Sequence, residues 1–333
     1  MGACVYLTEQ GAVLRREGKR FLVTKGGEAL FEIPAWRVER VLVFGAVQVT
    51  TQALAFLLDQ GADLVFFSLG GRYRGQLVGP ASANVHLRLA QYERLRQEES
   101  RLAFGRAVVA AKLGNARALL LRYQRNHPGA DFSCEVAELT ACLEEAGRAA
   151  ALAELTGIEG RGTAAYFRAY ARMFTREARF ERRTRRPPAD PVNAALSLGY
   201  SLMAAELVGA LYQVGLDPYI GFYHGPHYGR PSLALDLMEE FRHPVVDMLV
   251  LDLFNRGILD RGDFLEDEEE RGVRLSPEGL RVFLEQYDRR LTRRFKERET
   301  GHQVSMRQLF RRQARTLASF VMGRTGYHPF RVR

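Results

Sequence analysis

The apolar residues change period once along this chain, near Gly79-Pro80, and that change restricts the fold more than any other feature. Before it, apolar residues alternate or fall in short runs bounded by glycines, the pattern of strands. Strands are expected at 3–7, 12–16, 20–24, 28–33 and 38–43. A short helix is expected at 51–60, a buried strand at 63–67 and another strand around 76–78. Gly70-Gly71-Arg72-Tyr73-Arg74-Gly75 lacks the Lys-Ser/Thr of a nucleotide loop, and no helical pattern opens after it, so it reads as a tight hairpin.

From about Ala90 the period is helical. Leu95, Leu102, Val109, Ala116 and Tyr123 recur every seven residues, and Asn126-His127-Pro128-Gly129 stops the run. Further helices are expected at 134–155, from Glu159 onward, and at 192–214, 232–241, 245–255, 277–291 and 304–322. The acidic run from Glu266 to Glu270 reads as a solvated loop. The chain is therefore expected to be α+β by domains: a small β-sandwich-like domain (1–85), a linker (86–92) and a larger all-α domain (93–333).

Composition narrows the function classes. No uninterrupted apolar run reaches the ~18–20 residues of a membrane span. The N-terminus lacks a basic and then apolar leader, so a cytoplasmic protein without a membrane partner is expected. Cys4, Cys134 and Cys142 form no paired motif and read as reduced thiols. The net charge is +9 and Lys+Arg number 48, of which only Lys19, Lys25, Lys112 and Lys296 are lysines. Arginine forks match phosphate oxygens, so a nucleic-acid partner is plausible, although a GC-rich genome alone also favours arginine codons.

Chemistry concentrates between Gly215 and Arg242. His224 lies in a Gly/Pro-rich loop, and a helix opening at Pro231-Ser232 follows it. Leu233, Leu237 and Phe241 form the apolar stripe of that helix, and Asp236 and Glu239 project from one face. A histidine beside paired carboxylates is a ligand set for a hard divalent metal, Mg²⁺ or Mn²⁺, with imidazole favouring Mn²⁺. Taken singly, the residues say less. Glu159 reads as an acid at a helix start, His224 as an incidental loop histidine, and Glu240 as a solvent-facing neighbour or a partner of Arg242. The run Arg176, Arg179, Arg182, Arg183, Arg185 and Arg186 reads as a solvated face or a grip on backbone phosphates.

These motifs, with Gly157-Ile158-Glu159-Gly160 leading to Tyr166-Phe167, Arg186-Pro187-Pro188 and Asp190-Pro191-Val192-Asn193 leading to Gly199-Tyr200, stand in the order found in the CRISPR-associated spacer integrases. Val49-Thr50-Thr51 with Ala53-Leu54, and the tail Tyr327-His328-Pro329-Phe330, complete a resemblance to that Cas-one family covering nearly the whole chain. The resemblance implies a metal-dependent endonuclease and integrase that inserts short double-stranded DNA into a CRISPR array by 3′-hydroxyl attack on phosphodiesters. Glu159, His224 and Glu239 match the metal ligands. Asp236 matches the companion acid, which either stands behind the ligands, linked directly or through water, or is a fourth ligand. Arg176, Arg179, Arg182, Arg183, Arg186, Asn193 and Tyr200 become candidate DNA contacts. The resemblance also implies a homodimer formed mainly through the β domains, bridged to a second dimer by a small Cas-two partner. His227 and His243 depart from the family pattern, and His243 before Pro244 is expected to shift the end of the acidic helix. Two other classes fit the same residues: a non-sequence-specific metal nuclease acting on branched DNA in repair or in a mobile element, and a DNA-binding scaffold without catalysis. A mobile-element member would carry a further DNA-binding module, and none is read after Tyr327–Phe330.

Overall fold

The computed structural model describes residues 2–79, 84–176, 180–185, 187–267, 271–297 and 301–332. Arg179, Arg186 and residues 268–270 of the acidic run lie outside them. The first 77 residues fold as β1 (Ala3–Leu7), β2 (Val13–Glu17), β3 (Arg20–Lys25), β4 (Glu28–Pro34), β5 (Val38–Phe44), β6 (Gln48–Val49), α1 (Thr51–Asp59), β7 (Asp63–Phe67) and β8 (Tyr73–Leu77). They form two four-stranded sheets, β1-β5-β7-β8 and β4-β3-β2-β6. The expected hairpin at Gly70–Gly75 joins β7 and β8, which pair antiparallel.

In the first sheet β1, β5 and β7 run parallel. That explains why Val41-Leu42-Val43-Phe44 is a continuous apolar run rather than an alternating one. Both faces of a parallel sheet are covered. Leu42, Phe44, Val65 and Phe67 face the helical body, while Val41, Val43 and Leu64 pack toward the second sheet.

The helical body contains α2 (Val85–Leu95), α3 (Glu98–Asn126), α4 (Ser133–Arg148), α5 (Leu152–Ala171), α6 (Pro191–Val214), α7 (Ser232–Met238), a π-helical turn (Arg242–Asp247) and α8 (Met248–Asn255). The strands β9 (Phe264–Asp267) and β10 (Gly272–Leu275), the helix α9 (Pro277–Thr292), the strands β11 (Phe295–Lys296) and β12 (Gln303–Val304), and the helix α10 (Met306–Val321) complete it. Residues 86–92, expected as a linker, lie inside α2. The heptad run read as one helix breaks at Arg96-Gln97, where Gln97 takes an extended backbone, and Arg94 just before the break bonds the Val321 carbonyl (3.1 Å) and lies over the Phe320 ring. The two β-hairpins formed by β9–β10 and β11–β12 were not visible in the apolar pattern. Helix α6 is long and apolar enough to cross a membrane by length and composition, yet 83% of its most apolar stretch is buried inside the protein as a core helix.

A buried ion network fastens the sheet to the helices. Arg40 on β5 pairs with Asp63 on β7 and Glu206 on α6, both at 2.6 Å. Glu206 also takes Arg307 of α10 at 2.9 Å, and Arg307 reaches Asp288 of α9. Breaking a buried pair leaves an uncompensated charge, which costs about 3–5 kcal/mol. Arg40→Ala is therefore expected to lower the denaturant midpoint strongly. Arg20→Ala, which removes two exposed pairs, is expected to move it by less than about 1 kcal/mol. Equal midpoints for the two variants would show that the network does not fasten the layers.

Candidate active site

Two close approaches build the site. On α5, Gly162 packs against α3 so tightly that a Cβ there would stand 2.4 Å from Leu113 Cδ2. This brings Glu159, one turn earlier on α5, onto Lys112 of α3. Glu159 is thus inside a helix rather than at its start. The helix begins at Leu152, and Gly157 and Gly160 continue it because no side chain is demanded or opposed there. At the second approach, a Cβ on Gly221 would meet the Ser232 carbonyl carbon at 2.7 Å. The loop carrying His224 therefore lies directly on the first turn of α7.

Asp236, completely buried on α7, organises that loop. Its Oδ2 accepts the backbone N–H groups of Phe222 (2.8 Å) and Tyr223 (3.0 Å), and its Oδ1 accepts the His224 backbone N–H (2.9 Å). The same Oδ1 lies 2.7 Å from His224 Nδ1. With Asp236 on Nδ1, the other ring nitrogen, Nε2, faces Glu239 Oε1 at 3.9 Å. A carboxylate that fixes the far nitrogen of an imidazole sets which nitrogen is left to act as a ligand.

Glu239 is buried just past the end of α7. Its Oε2 holds Lys112 Nζ at 2.8 Å and Arg242 Nε at 2.9 Å. Burial raises its pKa, but Arg242, Lys112 and His224 outweigh burial and hold the carboxyl well below the usual carboxylate range. Lys112 also contacts Glu159 Oε1, to which Thr163 Oγ1 donates at 3.1 Å. The structure thus links all four residues singled out in the sequence: Glu159 and Glu239 through Lys112, which sequence reasoning missed, and His224, with Asp236 on its ring, through Glu239. Among the described residues, no group of three His, Cys, Asp or Glu stands ready to enclose a metal ion, and the Lys112 ammonium lies between the two glutamates.

Behind Glu239 the π-helical turn builds a second buried network. Pro244 has no N–H for the regular ladder, so the shift expected at the end of the acidic helix takes the form of this turn. The turn sets Asp247 to receive the hydroxyls of Tyr166 (2.9 Å) and Tyr200, and it places His243 Nδ1 2.7 Å away. Two guanidiniums lie over the Tyr200 ring, Arg242 at 4.7 Å and Arg183 at 5.5 Å. Arg183 is turned inward, bonding Asn193 Oδ1 (2.8 Å) and Ser197 Oγ (3.0 Å). Asn193 is buried and also bonds Asp190, Thr184 and Arg182 through its own amide. Of the described arginines in the basic run, Arg176, Arg182 and Arg185 are the exposed ones.

Glu240 corrects another expectation. It is fully buried and points away from Glu239, receiving Gln313 Nε2 at 2.7 Å, the Tyr327 hydroxyl and the Phe330 N–H. Burial pushes its carboxyl up to about 7 despite these donors. The segment 327–332 is thereby strapped to the turn that follows α7. Phe330 stacks on Phe241, and Asn115 bonds the Glu240 carbonyl (2.8 Å), the Phe330 carbonyl (3.2 Å) and the Val332 N–H (2.7 Å).

Fold and site together define a mixed α/β protein, a β-rich N-terminal region fastened to a larger helical part, with a largely buried carboxylate–histidine cluster. The chain belongs to the Cas1 family: the family model described as CRISPR associated protein Cas1 matches residues 5–289. It is 38% identical to a CRISPR-associated exonuclease Cas4/endonuclease Cas1 fusion of Rhodospirillum rubrum, covering 98% of this chain and 57% of that protein. It is 37% identical to a CRISPR-associated endonuclease Cas1 of Thermus thermophilus, covering 99% of this chain and 97% of that one. A solved CAS1 protein from Thermotoga maritima superposes with a TM-score of 0.83 at 30% identity, covering 98% of this chain and 99% of that one.

Proposed function

We propose that this chain is a metal-dependent DNA endonuclease and integrase that joins short duplex DNA to a CRISPR array. The observation supporting this reading is that Glu159 and Glu239 share one cation, the Lys112 ammonium, while His224 Nε2, set by Asp236, faces the second Glu239 oxygen at 3.9 Å. The donor set fits a hard divalent ion: two carboxylates and one imidazole nitrogen, with Lys112 Nζ standing in for positive charge. Glu159, Glu239 and His224 Nε2 would hold Mg²⁺ or Mn²⁺. When bound, such an ion polarises a phosphodiester and offsets charge in the transition state.

The residues of the chain have separate parts in that chemistry. Glu239 stays ionised and available as a ligand because two cations flank it. Asp236 directs Nε2 rather than Nδ1 into the site. Arg242, held over Tyr200, keeps Glu239 in place. In the joining step the 3′-oxygen of the incoming strand bonds to phosphorus, the original P–O bond breaks, and the hydroxyl proton passes to the released oxygen through solvent. The number of phosphodiesters is unchanged, so no energy source is consumed.

Exposed Arg182 and Arg185 are assigned to backbone phosphates, while Arg183 is assigned to holding Asn193 and Tyr200. Removing one cation from a phosphate flattens the log–log salt dependence of binding by about one unit. Arg182→Ala with Arg185→Ala is thus expected to flatten it by about two units at unchanged thermal stability. Arg183→Ala is expected to lower thermal stability instead. An unchanged salt slope in the double variant returns the segment to a solvated face.

A homodimer built through the β domains and a Cas-two partner complete the proposal. The test is Mn²⁺-dependent joining of a short duplex to plasmids with and without a CRISPR array, in the presence of that partner. Cutting of branched DNA without joining would favour the repair or mobile-element nuclease. Binding without either reaction would favour the scaffold.

A further inference from the structure

We infer that Lys112 is a catalytic residue: it occupies the cation position between Glu159 and Glu239 until the metal arrives, then transfers its ammonium to the reacting phosphate. This rests on the functional reading above. Lys112 is only 4% exposed and is one of four lysines in a chain with 48 basic residues. A guanidinium is a broad planar fork, whereas an ammonium is a compact point charge on a flexible stem. Only the second fits between two carboxylates that a small ion must later share.

The charges define what happens next. The cluster holds three carboxylates and two cations: Glu159 and Glu239 meet Lys112, Glu239 also meets Arg242, and Asp236 meets His224, which leaves one net negative charge if His224 is neutral. A divalent ion reverses that sign, and one phosphate cancels it. The ion takes the same carboxylate oxygens that Lys112 now holds, and two cations cannot share them without strong repulsion. Arg242 stays, fixed by Glu239 and Tyr200. Lys112 has no other anion within its present contacts, so it needs a new one, and the phosphate bound beside the ion supplies it. Metal and DNA should therefore tighten each other's binding, in equal measure by linkage.

Two experiments decide the point. In Mn²⁺ titrations without DNA, Lys112→Gln is expected to bind the ion at least about tenfold more tightly than the parent, since no cation must be displaced, within the usual range of such couplings. Added DNA should tighten Mn²⁺ binding less in the variant than in the parent. Strand joining at saturating Mn²⁺ should fall about 100-fold, as for loss of a preorganised donor to a developing charge. Mn²⁺ affinity equal to or weaker than that of the parent, in a variant with the parent's circular dichroism, overturns the proposal.

The second experiment uses the unaltered chain, so it holds even if the variant fails to fold. Amine labelling read by mass spectrometry should find Lys112 protected in metal-free protein, reactive with Mn²⁺ alone, and protected again with Mn²⁺ and DNA. Mn²⁺ bound with no change in labelling, or no renewed protection by DNA, overturns this proposal and leaves the functional reading standing. A parent protein that binds no Mn²⁺ overturns both.

Discussion

Glu239→Gln is expected to abolish Mn²⁺ binding, whereas Asp236→Asn should weaken it by about 10–100-fold, the usual cost of losing a group that orients a ligand. Glu239 is the residue with an oxygen turned toward His224 Nε2 and another on Lys112. A neutral amide binds a hard cation poorly. Asp236 has no such oxygen to spare, because its two oxygens already receive three backbone N–H groups and the ring nitrogen. An asparagine there must point its NH₂ at donors on one side. It would either loosen the loop or hold His224 in the tautomer whose Nε2 carries a proton. Calorimetric Mn²⁺ titration of both variants separates the roles. Loss of binding in Asp236→Asn with retention in Glu239→Gln would exchange them.

His224→Ala should be equally severe for joining and nearly silent for folding. The ring is 22% exposed, and the backbone N–H groups that hold Asp236 remain without it. Strand joining in Mn²⁺ is expected to fall below detection while the melting temperature moves by a few degrees at most, the shift expected of a change near 1 kcal/mol. Joining at the parent's level would remove His224 from the site.

Much of this was legible in the sequence because it depends on local pattern. The switch of period near Gly79 separated sheets from helices, and strands such as 3–7 and 63–67 have the expected bounds. Glu159, His224, Asp236 and Glu239, which only the family resemblance grouped, lie in one run of contacts. What was missed depends on tertiary contact. The break between α4 and α5 falls in Ala149-Ala150-Ala151, which carries no glycine or proline. It is held by Arg106, which caps the Ala149 carbonyl from a distant helix. Glu240 and Glu239 are adjacent acids, and only packing decides that one meets the site and the other the C-terminal segment. Lys112 did leave a signal. It lies three residues after Val109 and four before Ala116, on the buried face of its helix, where an unpaired lysine is costly. A lysine in that register required an acid opposite it.

The strap formed by residues 327–332 has a practical consequence. Val332 is bonded to Asn115, one helical turn from Lys112. A fluorophore attached at exposed position 331 would therefore be carried close to Lys112 without touching a proposed ligand. Energy transfer from it to dye-labelled DNA would report arrival and departure of each strand at the site in real time.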